Sequence, residues 1–313
     1  MHVSPYLYLP IAGNSINLFL LLGLGGMVGF LSGLFGVGGG FLLTPLLIMI
    51  GIPPTIAAAS DSNQIVAASS SGTYAHWRLG NVDFKMGLYL LVGGILGGTA
   101  GVQVIRILRN MGNADFVIKI TYVVMLGLVG SYMFQESLRN LRGGMRVART
   151  EPKEAEEVSW FTRLNRALPW QTQFEKSGIT MSSLMPLGFG VLVGVLAAIM
   201  GVGGGFIMVP VMVYMLRMPM HVVVGTSLFQ ILFTCMNVTF MQAYVNHTVD
   251  FLLALILLLG STLGAQIGAR VSRKLKPDQL KILLASIVLL VMMKMLVELL
   301  MTPSLLLSLK GGH

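Results

Sequence analysis

Charge is scarce in this chain. Only 11% of its 313 residues are Asp, Glu, Lys or Arg, against about 25% in soluble domains. That is too little to cover a globule in water, which excludes an ordinary soluble fold. Cysteine is nearly absent too. The one residue, Cys235, rules out an internal disulfide and a cysteine-based metal cluster. It sits in an apolar stretch and reads as a small packing residue. No HExxH, P-loop or nucleophile elbow occurs. The expectation is therefore a protein that is not an enzyme, has no cofactor and no metal site, and leaves any ATP hydrolysis to another chain. Residues 1–15 contain no Lys or Arg, so no cleavable signal is expected. The short alternating strands of a membrane β-barrel are also missing.

What is present is apolar. Hydrophobic residues make up 55% of the chain, mean hydropathy is +0.80, and there are 38 Gly and 22 Met. Apolar segments recur near 16–35, 41–51, 55–77, 84–104 and 116–138, and again near 184–200, 206–216, 221–245, 251–269 and 282–301. Many approach the ~20 residues that span a bilayer, but 41–51 and 206–216 are too short to do so upright. Backbone polar groups in lipid must bond within the segment, so these are helices. The fold class is all-α: a polytopic membrane protein.

The two sets of five match. Gly36-Val37-Gly38-Gly39-Gly40-Phe41 returns 165 positions later as Gly201-Val202-Gly203-Gly204-Gly205-Phe206. At that offset Pro45 meets Pro210, Pro54 meets Pro219 and Ser62 meets Ser227. After a two-residue insertion, Asp83-Phe84 meets Asp250-Phe251, and Gly93, Gly97, Gly101 and Arg106 meet Gly260, Gly264, Gly268 and Arg273. The chain therefore divides into a first transmembrane repeat (1–138), a linker (139–182) and a second repeat (183–313). The linker holds eight Lys/Arg and five Glu. Trp160, Phe161, Leu164, Ala167 and Leu168 share a helical face there, which suits either a helix on the membrane surface or a solvated linker.

Five segments per repeat is an odd number, so consecutive repeats point opposite ways. With the linker in the cytoplasm, sixteen of the 21 Lys/Arg lie inside. Arg106, Arg109, Lys119 and Lys310 lie outside, and Lys294 lies within the last helix. The positive-inside bias favours this multi-pass inner-membrane topology, with both termini outside. The bases thus set orientation in the bilayer; no nucleic-acid partner is expected. If the short segments dip back instead of crossing, each repeat crosses three times, and the inverted relation survives. Inverted repeats with interrupted helices point to a secondary transporter with a midplane site.

Three adjacent glycines cost a helix about 1 kcal/mol each relative to Ala and are expected to interrupt it. The next helix then starts with free, electropositive N–H groups, which bind an anion without a cationic side chain. The candidate substrate-binding residues are Gly36, Gly38, Gly39 and Gly40 with Gly201, Gly203, Gly204 and Gly205. The neighbouring polar groups Ser62, Asn63, Gln64, Thr226, Ser227, Gln230 and Asn237 complete the set, serving either a bound anion or helix-to-helix hydrogen bonds. Asp61 is a costly intramembrane carboxylate and reads either as a proton-coupling group or as a helix cap near the surface. The stripes at Gly93, Gly97, Gly101 and at Gly260, Gly264, Gly268 read as close helix packing.

With both GVGGGF runs followed by a Pro, the Gly225-Thr226-Ser227-Leu228 run and the Gly-rich flanking helices, the chain resembles the sulfite exporter TauE/SafE family over nearly its whole length outside the linker. The resemblance implies a transporter of small sulfur-containing oxyanions such as sulfite or organosulfonates. The first copy departs from the pattern, with Ser60-Asp61-Ser62 where the second has Gly225-Thr226-Ser227. The expected function is alternating access about the paired breaks, the two halves rocking against each other. An anion channel or a carboxylate transporter is the alternative. An intramembrane enzyme ranks last, because only Asp61 and scattered His could supply it.

Overall fold

A computed structural model describes residues 6–35, 40–142, 168–216, 218–272 and 277–301. A hairpin of β1 (Tyr6–Leu9) and β2 (Asn14–Asn17) precedes five helices: α1 (Leu18–Phe35), α2 (Gly40–Met49), α3 (Pro54–Arg78), α4 (Phe84–Asn110) and α5 (Ala114–Arg142). A second hairpin, β3 (Gln171–Phe174) and β4 (Ile179–Ser182), precedes α6 (Leu184–Met200), α7 (Gly205–Pro210), α8 (Met220–Met241), α9 (Phe251–Ser272) and α10 (Pro277–Met301). Single turns of the wider π-helix follow α7 (Val211–Met215) and α8 (Gln242–Asn246). The described residues are mostly helical, as expected of a membrane bundle, with two short hairpins besides. Among the described residues four stretches are long and apolar enough to cross a bilayer: Phe84–Asn110, Ala114–Tyr132, Val222–Asn246 and Phe251–Gly268.

α3 fails that criterion for a physical reason. It carries Ser60, Asp61, Ser62, Asn63 and Gln64 and faces protein, with Ser60, Asp61 and Ser62 fully buried. It packs along α8 at the centre, flanked by α2 and α9. α4 begins at an N-cap, Asp83, whose carboxylate accepts from Met86 N at 3.0 Å. Asp250 does the same for α9, accepting from Leu253 N at 3.1 Å.

The most extensive packing crosses between the halves: α1 lies along α9, and α4 along α6. Glycine permits it. A methyl group at Gly97 would sit 2.0 Å from the Val191 carbonyl oxygen, and one at Gly264 would sit 2.0 Å from that of Gly26. Gly29 meets Ser261 O as Gly194 meets Gly94 O. At the sequence offsets these are the same contacts with the halves exchanged. The stripes therefore do pack, backbone against backbone.

The hairpins were not expected. The stretch read as linker contributes α5 as far as Arg142 at one end and β3–β4 at the other, and the proposed surface helix around Trp160 lies outside the described residues. The first hairpin pairs Tyr6 with Asn17 and Leu9 with Asn14; the second pairs Gln171 with Ser182 and Phe174 with Ile179. These positions are also 165 apart. Each loop closes through a glycine at φ +67°, Gly13 and Gly178, whose N–H bonds Leu9 O or Phe174 O at 2.9 Å.

Candidate functional site

Two short helices meet near the centre of the protein. α6 ends at Met200, and Gly201, Gly203 and Gly204 take φ of +73°, +70° and +76° before α7 begins at Gly205. That left-handed backbone costs an L-residue roughly 1–2 kcal/mol and glycine almost nothing. In the first half α1 ends at Phe35 and α2 begins at Gly40; Gly36, Gly38 and Gly39 lie outside the described residues. The second residues of α2 and α7, Phe41 and Phe206, stack with ring centroids 4.5 Å apart and planes within 11°. The two short helices thus start side by side.

Around this meeting point the packing is tight and mostly apolar. A methyl group on Gly203 would meet Cys235 Sγ at 2.6 Å and Ile231 at 2.9 Å, and one on Gly205 would meet Ile231 at 2.5 Å. Cys235, Ile231 and Ile65 form their own buried cluster, so the cysteine packs as expected. α3 crosses against Gly201, where a methyl would sit 2.0 Å from Ala58 O. Ser62 Oγ donates here, within 3.2 Å of both Ala58 O and Gly201 O. Tyr122, fully buried on α5, donates its hydroxyl to Met200 O. The two carbonyls at the end of α6 are therefore held by side chains of the first half.

Asp61 stands beside this junction and is not a helix cap. It is the eighth residue of α3, fully buried. Thr44 Oγ1 of α2 donates to its Oδ2 at 2.7 Å, while Oδ1 has no hydrogen-bond partner among the described residues. A methyl on Gly40 would come within 3.4 Å of the same Oδ2, which puts the carboxylate next to the start of α2. Among the described residues Gln64 Oε1 and Gln230 Oε1 are likewise buried without partners, and Gln230 Nε2 donates to Thr234 Oγ1 at 2.9 Å. Buried acceptors left open in apolar surroundings are costly and available to a donor. Thr44, Tyr122 and Thr234 escaped the sequence reading because nothing in an isolated Thr or Tyr marks a partner far along the chain.

Other candidates lie elsewhere. Thr226 accepts from Asp83 N at 3.0 Å, and Ser227 donates to Val224 O at 3.1 Å, both in the first turns of α8. Asn237 bonds α4 through Thr99 Oγ1 at 3.1 Å and Ile95 O at 3.4 Å. Asn63 is half-buried on α3. The structure thus gathers Gly40, Gly201, Gly203, Gly204, Gly205, Asp61 and Ser62, whereas Thr226 binds the N-cap of α4, Ser227 bonds within its own helix and Asn237 ties α8 to α4. Among the described residues no group of three or more His, Cys, Asp or Glu could hold a metal.

Comparison with known proteins agrees in kind. The family model for sulfite exporter TauE/SafE matches residues 21–295. The chain is 28% identical over 271 residues to the probable membrane transporter protein YjnA of Bacillus subtilis, covering 86% of this chain and 95% of that one. It is 24% identical over 293 residues to the probable membrane transporter protein YunE of the same organism, covering 90% and 98%. Similarity to sulfite exporter TauE/SafE family protein 1 of Arabidopsis thaliana is 29% identity over 114 residues, 36% of this chain and 25% of that one. No solved structure matches.

Proposed function

From the premise that this chain belongs to the sulfite exporter TauE/SafE family of membrane transporters, we propose that it is a secondary transporter moving small sulfur-containing oxyanions, sulfite or organosulfonates, out across the inner membrane. Two inverted repeats, related by a pseudo-two-fold axis, alternate the access of a central site between the two faces. The observation that carries this reading is the side-by-side start of α2 and α7 at the Phe41–Phe206 stack, beside the buried, half-satisfied Asp61. The exchanged contacts of Gly97 with Val191 and Gly264 with Gly26 support the symmetry. Backbone at the Gly36–Gly40 and Gly201–Gly205 runs supplies amides to the anion, and Ser62, Gln64 and Gln230 supply polar side chains. Asp61 carries the coupling proton, since an uncharged carboxyl is far cheaper to keep in this interior than an ionised one.

Proteoliposomes test this directly. Sulfite or a sulfonate should move faster under an imposed pH gradient, and Asp61→Asn should remove the gradient's effect. Transport indifferent to both would end the coupling claim. A panel in which carboxylates stabilise the purified protein and sulfur oxyanions do not would replace the substrate class.

A further inference from the structure

The N-cap carboxylates Asp83 and Asp250 do more than cap. Each is the meeting point of three parts of the chain. Asp250 Oδ1 caps α9, while its Oδ2 accepts from the hairpin amides of Ile11 at 3.1 Å and Ala12 at 3.4 Å. Its own N–H donates to Ser60 Oγ on α3 at 3.2 Å. The same hairpin reaches the α2–α3 turn, where Asn14 Nδ2 donates to Gly51 O at 2.9 Å. Asp83 Oδ1 caps α4, while its Oδ2 accepts from Ser177 N at 3.2 Å and Ser177 Oγ at 2.5 Å in the second hairpin. Its N–H donates to Thr226 Oγ1 on α8 at 3.0 Å. Lys176, beside Ser177, donates to Gly80 O and Val82 O. Both carboxylates are buried, with 3% and 1% of their surface exposed.

The two junctions lie at opposite ends of the molecule. Asp83 precedes α4, whose 27 residues extend about 40 Å. At the far end of α4, Arg109 Nη1 donates to Asn246 O, four residues before Asp250. A helix cap needs one carboxylate oxygen. Here the second oxygen is spent on a hairpin strapped over the end of the bundle, and it is spent in the same way at both ends.

We infer that the Asp250–hairpin and Asp83–hairpin junctions are the two latches of the transport cycle, one closing each end, and that each end opens by releasing its own latch. The inference rests on the alternating-access reading above and adds the parts that alternate. Both latches are fastened in the conformation described.

Replacing Asp by Asn separates latch from cap, because one amide oxygen can still accept from Met86 or Leu253 while Nδ2 cannot accept from the hairpin. In a Cys235→Ala background, reporter cysteines are placed at Ala57 or Val222, buried residues at equivalent positions near Ser60 and Thr226. Detergent-purified protein is then labelled with a maleimide, and no substrate is required. Asp250→Asn should raise the labelling rate at position 57 at least fivefold and leave 222 unchanged; Asp83→Asn should do the reverse. Ser60→Ala and Ser177→Ala, which spare both caps, should act in the same directions with smaller effect. Equal labelling of both positions in every variant, whether low or raised, overturns the latches. Wild-type transport of the anion panel is scored separately. End-selective labelling in a protein that moves no sulfur oxyanion would keep the latches and discard the substrate, and transport without end-selective labelling would do the opposite.

Discussion

At the scale of single residues, glycine carries two different loads, and substitution separates them. A methyl at Gly97 or Gly264 would lie 2.0 Å from a backbone oxygen of the facing helix, whereas one at Gly188 meets none of the described residues within 4 Å. Gly97→Ala and Gly264→Ala should each destabilise the protein by about 1–3 kcal/mol, as overpacking does. Gly188→Ala should be neutral, or stabilising by up to about 1 kcal/mol through helix propensity. Thermal unfolding in detergent measures all three. The spacing-of-four stripe was legible because a bare helix face leaves a periodic trace. Asp61 was legible for a different reason: a carboxylate in apolar sequence stands out wherever it falls. Its partner Thr44 was not. Threonine is common in membrane helices, and only the approach of α2 to α3 joins them.

At the scale of elements, the break and the stack invite separate tests. Gly201→Ala places a Cβ against Ala58 O on a backbone of φ +73°. Both strain and overlap oppose it, so folded yield and transport should fall together. Gly13→Ala, with the same kind of φ but no described residue within 4 Å of the added methyl, should cost only the strain of roughly 1–2 kcal/mol. A double-mutant cycle on Phe41→Leu and Phe206→Leu should return a coupling of about 0.5–1.5 kcal/mol; zero coupling would mean the short helices do not meet in solution. The helices themselves were readable because long apolar runs have few other outcomes in lipid. The hairpins were not. At the 165 offset Tyr6–Asn17 and Gln171–Ser182 share Gly13 with Gly178 and the buried apolar pairs Leu9 with Phe174 and Ile16 with Met181, too few positions in four-residue strands to mark a hairpin. Their strands are set by tertiary contacts with Asp250 and Asp83, which the local sequence does not announce.

For the whole molecule, orientation is the property most directly open to experiment. Leu79 and Asn113 flank α4 at its two ends and are exposed. As single cysteines in a Cys235→Ala background they should react from opposite faces of right-side-out vesicles, Leu79 from the cytoplasm and Asn113 from outside. Labelling of both from one face would overturn the topology. Duplication was legible because motifs repeated in order. The way the copies interlock was not, since sequence order says nothing about which copy a helix packs against. The rocking of intact halves expected from that order would have to part the glycine-mediated contacts between them. α1 packs along α9 and α4 along α6, so bodies that kept these contacts while moving would each combine helices from both halves.

That interlocking governs what becomes of a severed chain. Cut between 143 and 167, the N-terminal fragment would hold α1 and α4 without α9 and α6, each with a bare glycine groove turned to lipid. Neither fragment should accumulate when synthesised by itself. Made together in one cell, the two should find each other and rebuild the intact bundle without any covalent tether.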